Sequence, residues 1–286
     1  MLAIAEVLSS GALSLTPPQL GPQLQRLKRE GVPITVLTAW DAISAEWAEA
    51  AGVDLVLVGD SLAMVALGHA TTLPVTLEAM VHHAAAVERG LTHTPMVCDL
   101  PFLSYQCGPD RAVAAAGRFF KETNCLGVKL EGAEPETLAV ISRLVRSGMP
   151  VMGHLGLTPQ SVRQLGYRRQ ATDPIAQERL RRKAQKLEQS GCFALVLEHV
   201  PDQLAGQLRR ELQLPVIGIG AGFDCDGQVR VTADLLGLTA AQPPFSPALL
   251  PGQKLISEAL RGWVSALRNS TGDPQAKPAD PATPHY

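Results

Sequence analysis

The chain has 286 residues, 46% of them hydrophobic and only 4% aromatic. That length suits one large barrel or two smaller domains, around a core that must be mostly aliphatic and alanine. A formal net charge of -2 excludes the electrostatic footprint of a nucleic-acid-binding protein, or of one drawn to an anionic membrane surface.

The cysteines Cys98, Cys107, Cys125, Cys192 and Cys225 are odd in number, widely spaced and free of any Cys-x-x-Cys. That pattern argues against a disulfide framework or a zinc knuckle and for reduced thiols. No apolar run approaches transmembrane length. Residues 1–15 lack the basic leader and Ala-x-Ala cleavage pattern of a signal peptide. The expectation is a cytoplasmic protein.

Residues 1–18 read as a loose leader. Gln19 to Glu30 reads as a short amphipathic helix, with Leu20, Leu24 and Leu27 on one face and Gly31 as its stop. Pro33 to Thr38 is the first predicted strand. Asp41 can cap a helix over Ala42 to Ala51. Leu55 to Val58 is a second strand, apolar on both faces as in a parallel sheet. A long loop, Leu62 to Pro74, precedes a helix over Leu77 to Arg89. Further strands are expected at Pro95 to Cys98, Gly127 to Leu130, Pro150 to Gly153, Cys192 to Leu197 and Pro215 to Ile219. Helices are expected between them at Asp110 to Thr123, Pro135 to Ser147, Ile175 to Ser190 and Pro201 to Leu212. A second long loop spans Gly156 to Pro174. A glycine loop leads to Val231 to Leu238, read as the last, short strand region. Leu255 to Leu267 reads as a terminal helix, and Asn269 to Tyr286 as a disordered tail.

Strands and helices alternating at this spacing favour an α/β fold with a single (β/α)8 barrel over residues 1–268. An open doubly wound sheet is the rival. It would place a dinucleotide fingerprint after the first strand, where Thr38-Ala-Trp-Asp41 offers none.

The ends of the strands carry the chemistry. Asp60, Asp99 and Glu131 follow or end three of them, and oxygen-only ligands suit a hard cation such as Mg2+. An Asp at a strand end also caps turns and helices without further function. Lys129 and Glu131 are two apart and share a face. They read either as a structural pair or as a barrel-mouth pair that holds a substrate carboxylate or carbonyl. His154 is a structural histidine or a group that polarises a carbonyl. Glu198 is a helix cap, a partner of the loop arginines, or a general base entering from an apolar strand. Gly218, Gly220 and Gly222 read first as a tight turn and second as an anion cradle.

Taken together, these stretches resemble the ketopantoate hydroxymethyltransferase family. The matching segments are Thr38-Ala-Trp-Asp41, Leu57-Val-Gly-Asp-Ser61, Thr72-Leu-Pro-Val-Thr76, Asp99-Leu-Pro-Phe102, Val128-Lys-Leu-Glu-Gly132, Gly153-His-Leu-Gly-Leu-Thr-Pro-Gln-Ser-Val162 and Pro215-Val-Ile-Gly-Ile-Gly-Ala-Gly222, with Asp226-Gly-Gln228. The resemblance implies a barrel of the phosphoenolpyruvate/pyruvate superfamily type, assembled as a homodecamer. It implies Mg2+ or another divalent cation on Asp60, Asp99 and Glu131. It further implies a 2-oxo acid contacting Asp60, Ser61, Asp99, Lys129 and His154, Glu198 as proton acceptor, and 5,10-methylenetetrahydrofolate as co-substrate. The small-molecule substrates leave no role for nucleic acid or membrane. The chain departs from the family at Ala63, Ala70, His199, Tyr167 to Gln170 and around Ser246. None of these is a matched metal or base position; they bear on folate-side loops and subunit packing. An isocitrate-lyase-like carbon–carbon lyase and a non-catalytic 2-oxo acid sensor are the rivals. The first usually needs a cysteine in a Lys-x-Cys-Gly loop, which Cys107-Gly108 does not provide.

Overall fold

A computed structural model describes residues 19–240 and 242–270. The expected leader and most of the expected tail lie outside the described residues; Asn269 and Ser270, expected in that tail, instead continue the terminal helix. The chain divides into two compact units between Val231 and Thr232.

In the first unit, eight parallel strands close into a barrel in sequence order: β1 (Ile34–Thr38), β2 (Leu55–Val58), β3 (Met96–Asp99), β4 (Gly127–Glu131), β5 (Val151–Gly156), β6 (Ala194–Glu198), β7 (Val216–Ile219) and β8 (Gly227–Arg230). β8 returns to β1, with Ile34 opposite Gly227 and Val36 opposite Val229. A Cβ on Gly227 would lie 2.3 Å from the Ile34 carbonyl oxygen, so only glycine allows this closing pair. The last strand is therefore Gly227–Arg230. Val231 to Leu238, expected as that strand, instead holds a helical turn at Thr232–Leu235. Its Val and Leu residues gave a β-like composition that helix packing claimed.

The helices are α1 (Leu20–Glu30), α2 (Ala42–Ala50), the short α3 (Leu62–Val65), α4 (Leu77–Arg89), α5 (Pro109–Glu122), α6 (Pro135–Arg146), the short α7 (Val162–Leu165), α8 (Pro174–Gln189) and α9 (Asp202–Glu211). The loops expected at Leu62 to Pro74 and Gly156 to Pro174 thus carry α3 and α7. Proline at the first helical position and Asp41, Thr76 and Asp173 as N-caps set several of the starts. No helix separates β7 from β8; residues 220–226 cross in a bent loop, and Asp224 is held there by Arg209 and Arg210 of α9.

Strand alternation divides the core into two layers. Val56, Val58, Cys98, Val128, Leu130, Val151, Leu195, Leu197 and Val216 pack outward against helix residues such as Ala84, Phe119, Ile141 and Leu187. Leu55, Leu57, Val97, Met152, Val196 and Ile217 alternate with them, point inward and are buried. The interior is thus filled with aliphatic side chains, as the low aromatic content requires.

Polar clamps hold the end of the barrel where the strands begin. Lys28 Nζ, in the last turn of α1, lies 2.9 Å from each of the carbonyl oxygens of Arg209, Leu212 and Leu214, and 2.9 Å from Asp226 Oδ2. Asp226 also accepts from Arg209 Nε and from the Val216 N–H, both at 2.9 Å. Glu49 of α2 accepts the backbone N–H groups of Thr92, His93 and Thr94. The His93 N–H most of all, against some desolvation and with help from Thr94 and Thr92, lowers the Glu49 pKa to about 2. Its folded pKa lies below the ordinary 4.5, so this contribution is full above that pH and is lost as pH falls through about 2. Glu49→Gln is expected to lower the urea midpoint at pH 7, with the gap to wild type narrowing below pH 4.5 and closing only as pH falls through about 2. A gap that stays constant with pH would show that the charge on Glu49 contributes nothing.

The second unit comprises α10 (Thr232–Leu235) and α11 (Gly252–Ser270), tied by Leu249 N–H to Leu235 O and Gln253 N–H to Gly237 O. Ile256, Leu260, Trp263 and Leu267 form an exposed stripe along α11.

Candidate active site

The functional side chains gather where the strands end. After β2, Gly59 lets the chain double back, since a Cβ there would lie 2.9 Å from Ser61 Oγ. This turn brings Asp60 and Ser61 over the barrel mouth. The Asp60 N–H donates to Asp99 Oδ2 at 3.0 Å, tying the β2 turn to the last residue of β3. Asp99 lies opposite Lys129 in register. Its Oδ1 sits 3.0 Å from Lys129 Nζ, and both side chains are buried. Glu131, two residues on, faces the same interior.

His154 lies opposite Glu131 on β5. Its Nδ1 is 3.4 Å from Lys129 Nζ and 3.6 Å from Glu131 Oε1, and its Nε2 is 3.1 Å from Glu198 Oε2. The approach to Glu198 is close but off a hydrogen-bond line, because His154 Nε2 has no hydrogen-bond partner by angle. Glu198 ends β6, and the Leu157 N–H donates to its carbonyl at 2.8 Å. Gly156 makes this approach possible: its φ is +96°, and a Cβ there would sit 2.1 Å from Glu198 O. The residue after Glu198, His199, has φ +48°, a left-handed backbone that a non-glycine residue adopts at a cost.

Burial in a cluster of carboxylates dominates the electrostatics. Asp60 is pushed well above the usual carboxylate range by burial first, then by the charges of Asp99 and Glu131. Burial also raises Asp99, with Lys129 opposing. Burial works against the charge on Lys129, but Asp99, Glu131 and Asp60 outweigh it and hold the ammonium protonated. For His154, burial and then the Lys129 charge oppose protonation. Glu131 and Glu198 prevail, and its pKa is carried up to about 9.

All seven side chains singled out from the sequence, Asp60, Ser61, Asp99, Lys129, Glu131, His154 and Glu198, therefore sit at one end of one barrel. The capping alternative for Glu198 fails: α9 starts after Pro201, without a side-chain cap. The pairing alternative fails as well, since Arg169 bonds Asp202 and Val200 O while Arg168 bonds Leu165 O. The glycine run is a packed turn. A Cβ on Gly218 would meet Cys225 Sγ at 2.8 Å, and Gly222 O accepts from Gln228 Nε2.

Two residues of the site, Gln160 and Tyr105, were given no role by the sequence, and a third, Tyr167, entered only as a loop departure. Gln160 reaches between Asp60 and Glu131, and Tyr105 backs it. Tyr167 hangs at the mouth, its hydroxyl 3.6 Å from Met64 Sδ. After partial burial, the charges of Asp60, Glu198 and Glu131 raise its phenol pKa. Gln160 lies inside a stretch that carried the family resemblance, but an amide gives no charge signal of its own.

The donor chemistry fits a hard divalent cation. Asp99 Oδ1 meets the Lys129 ammonium at 3.0 Å, while the buried Glu131 Oε1 has no hydrogen bond and only His154, 3.6 Å away, beside it, a condition that a nearby cation would relieve. Among the described residues, no three His, Cys, Asp or Glu side chains close on a point as a ready-made cage. An ion that takes one or two carboxylates and keeps its waters does not need one.

Known proteins resemble this chain along most of its length. A family model described as ketopantoate hydroxymethyltransferase matches residues 20–272. A 3-methyl-2-oxobutanoate hydroxymethyltransferase of Synechococcus sp. (strain RCC307) is 74% identical over 273 residues, covering 96% of this chain and 100% of that one. One of the same name from Prochlorococcus marinus (strain MIT 9303) is 66% identical over 250 residues, 86% of this chain and 92% of its own. Among solved structures, a phosphonopyruvate hydrolase bound to oxalate and Mg2+ aligns over 94% of this chain and 92% of its own, with TM-score 0.57 and 12% identity. A 2,3-dimethylmalate lyase of the PEP mutase/isocitrate lyase superfamily aligns over 94% and 93%, with TM-score 0.55 and 15% identity. These two likenesses concern the fold alone. With the family model spanning the barrel and relatives this similar along nearly their whole length, the chain belongs to the ketopantoate hydroxymethyltransferase family.

Proposed function

We propose that the chain transfers a hydroxymethyl group from 5,10-methylenetetrahydrofolate to 3-methyl-2-oxobutanoate, giving ketopantoate, with Glu198 as the base. Ketopantoate formation follows from family membership. The division of labour among residues rests on one observation: Glu198 shares a barrel mouth with Lys129 and the carboxylates of Asp60, Asp99 and Glu131.

The difficult step is removal of the C3 proton, from a branched carbon next to a ketone. A divalent cation, Mg2+ or a similar ion held by Asp60, Asp99 and Glu131, would supply the positive charge that stabilises the developing enolate oxygen. Lys129, kept protonated by its carboxylate neighbours, adds fixed positive charge for the 2-oxo acid. Ser61 offers a hydroxyl to the same substrate, and His154 holds Glu198 in place from β5. Glu198 accepts the C3 proton. C3 then forms a bond to the folate one-carbon unit, whose bonds to N5 and N10 both break; a water molecule supplies the hydroxyl oxygen, and the C3 proton and the second water proton end on the two folate nitrogens. The homodecamer and cytoplasmic location implied by the resemblance belong to this same reading. Among the described residues no helix is long and apolar enough to cross a membrane.

Proton NMR of 3-methyl-2-oxobutanoate in D2O with protein and Mg2+ tests the reading. The expected result is loss of the C3 proton signal without folate and hydroxymethyl product with it. Undiminished C3 exchange and product formation by Glu198→Gln would remove Glu198 as the base. Neither exchange nor product would remove the proposed chemistry. Sedimentation velocity checks the decamer directly.

A further inference from the structure

Gln160 is the most heavily bonded polar residue of the mouth. It follows β5 in the turn Pro159–Ser161 and is buried. Its Nε2 donates to Asp60 Oδ2 and to the Leu100 carbonyl, both at 2.9 Å. Its Oε1 lies 2.9 Å from Tyr105 Oη and accepts from Gln106 Nε2 at 3.1 Å. Its backbone N–H donates to Glu131 Oε2 at 3.0 Å.

This set fixes the amide unambiguously. Both acceptors, a carboxylate and a carbonyl, face the NH2 group, and both donors face the oxygen; a flipped amide would set oxygen against oxygen at Asp60 and Leu100. The Tyr105 phenol has one proton. It accepts from the Glu131 N–H at 3.2 Å, and its shorter contact, to Gln160, takes that proton. Tyr105 therefore orients the amide, and the amide orients Asp60. Glu131 is held on one oxygen by the Gln160 backbone while its other oxygen, Oε1, stays unbonded and buried.

We infer that Gln160 is a positioning residue that pins one oxygen each of Asp60 and Glu131, turning the remaining carboxylate oxygens toward a shared divalent cation, with Tyr105 setting its orientation. The inference rests on the reading of the mouth as a cation site. It assigns the cation's affinity partly to a neutral side chain that does not touch it. Hydrogen-bonding partners of metal ligands are worth roughly 10- to 100-fold in affinity in other sites.

The test is Mn2+ titration of the intact chain, followed by the electron paramagnetic resonance signal of free Mn2+, with melting temperatures measured in parallel. Gln160→Met keeps the volume and the backbone N–H but removes the amide. It is expected to weaken Mn2+ binding about 10- to 100-fold. Tyr105→Phe removes only the orienting hydroxyl, and should weaken binding less but in the same direction. If Gln160→Met does not fold, Tyr105→Phe decides. A purely structural role would lower the melting temperature and leave the Mn2+ Kd of the folded variant unchanged, and that result would overturn the inference while leaving the cation site intact. Failure of the wild-type chain to bind Mn2+ would overturn the cation reading itself, and this inference with it.

Discussion

Glu198→Gln is expected to lower kcat by roughly two to four orders of magnitude, the usual range for removing a positioned general base. The amide keeps the size of the side chain and still meets His154 Nε2, which lies 3.1 Å away in the native site. The variant should therefore fold, bind Mn2+ and bind 3-methyl-2-oxobutanoate with near-native affinity. What it should lose is hydrogen exchange at C3, read by the disappearance of that proton signal in D2O without folate. The pair of measurements separates two roles. A residue that only positions substrate would raise KM and spare the exchange of saturated enzyme. Undiminished exchange at saturating oxo acid would mean that another group is the base.

Lys28→Met should produce the largest loss of stability away from the mouth. Lys28 is mostly buried, and its ammonium serves three carbonyl oxygens as well as Asp226, whose side chain is 1% exposed. Removing one partner of a buried ion pair costs about 3–5 kcal/mol. Arg209 remains on Asp226 at 2.9 Å, so the lower end, about 3 kcal/mol, applies. For a unit of this size that is a fall in Tm of about 6–12 °C. Kinetic constants at 25 °C should stay near wild type, because the clamp lies at the opposite end of the barrel from Glu198. Lys28→Met/Asp226→Asn should be less destabilised than the sum of the single changes. A Tm within a degree or two of wild type for Lys28→Met would show that Arg209 alone satisfies Asp226.

Much of the barrel was legible because parallel strands buried on both faces read as plain apolar runs. Leu55–Val58 and Val216–Ile219 are such runs, and each meets a glycine near its carboxyl end. The site was legible for a related reason. An ionisable residue directly after such a run has only the sheet edge or the interior to occupy, so Asp60, Asp99 and Glu198 announced themselves. β8 did not, because Gly227-Gln-Val-Arg230 has one large apolar residue and takes its place from its fit to Ile34. Gln160 was hidden for another reason: its contact to Asp60 spans 100 residues, and no local pattern records a neutral amide's distant partners. The resemblance supplied roles for Asp60 and Glu131, while the hydrogen bonds that hold them became visible only in three dimensions.

The closure of β8 on β1 has a consequence for how the chain reaches this state. Val36 pairs with Leu55 on one side but with Val229 on the other. Each strand from β2 to β7 finds both neighbours nearby in sequence. β1 obtains its second neighbour only after nearly the whole barrel has been synthesised, and Lys28 meets Asp226 across the same junction. On the ribosome, β1 and α1 thus emerge first yet lock last, and until then the nascent chain exposes two unpaired strand edges. Loop closure over so long a separation is slow relative to the local strand–helix pairings. The seam between β8 and β1, with its glycine contact and its ammonium clamp, is therefore where a chaperone or a stray strand has the longest time to act.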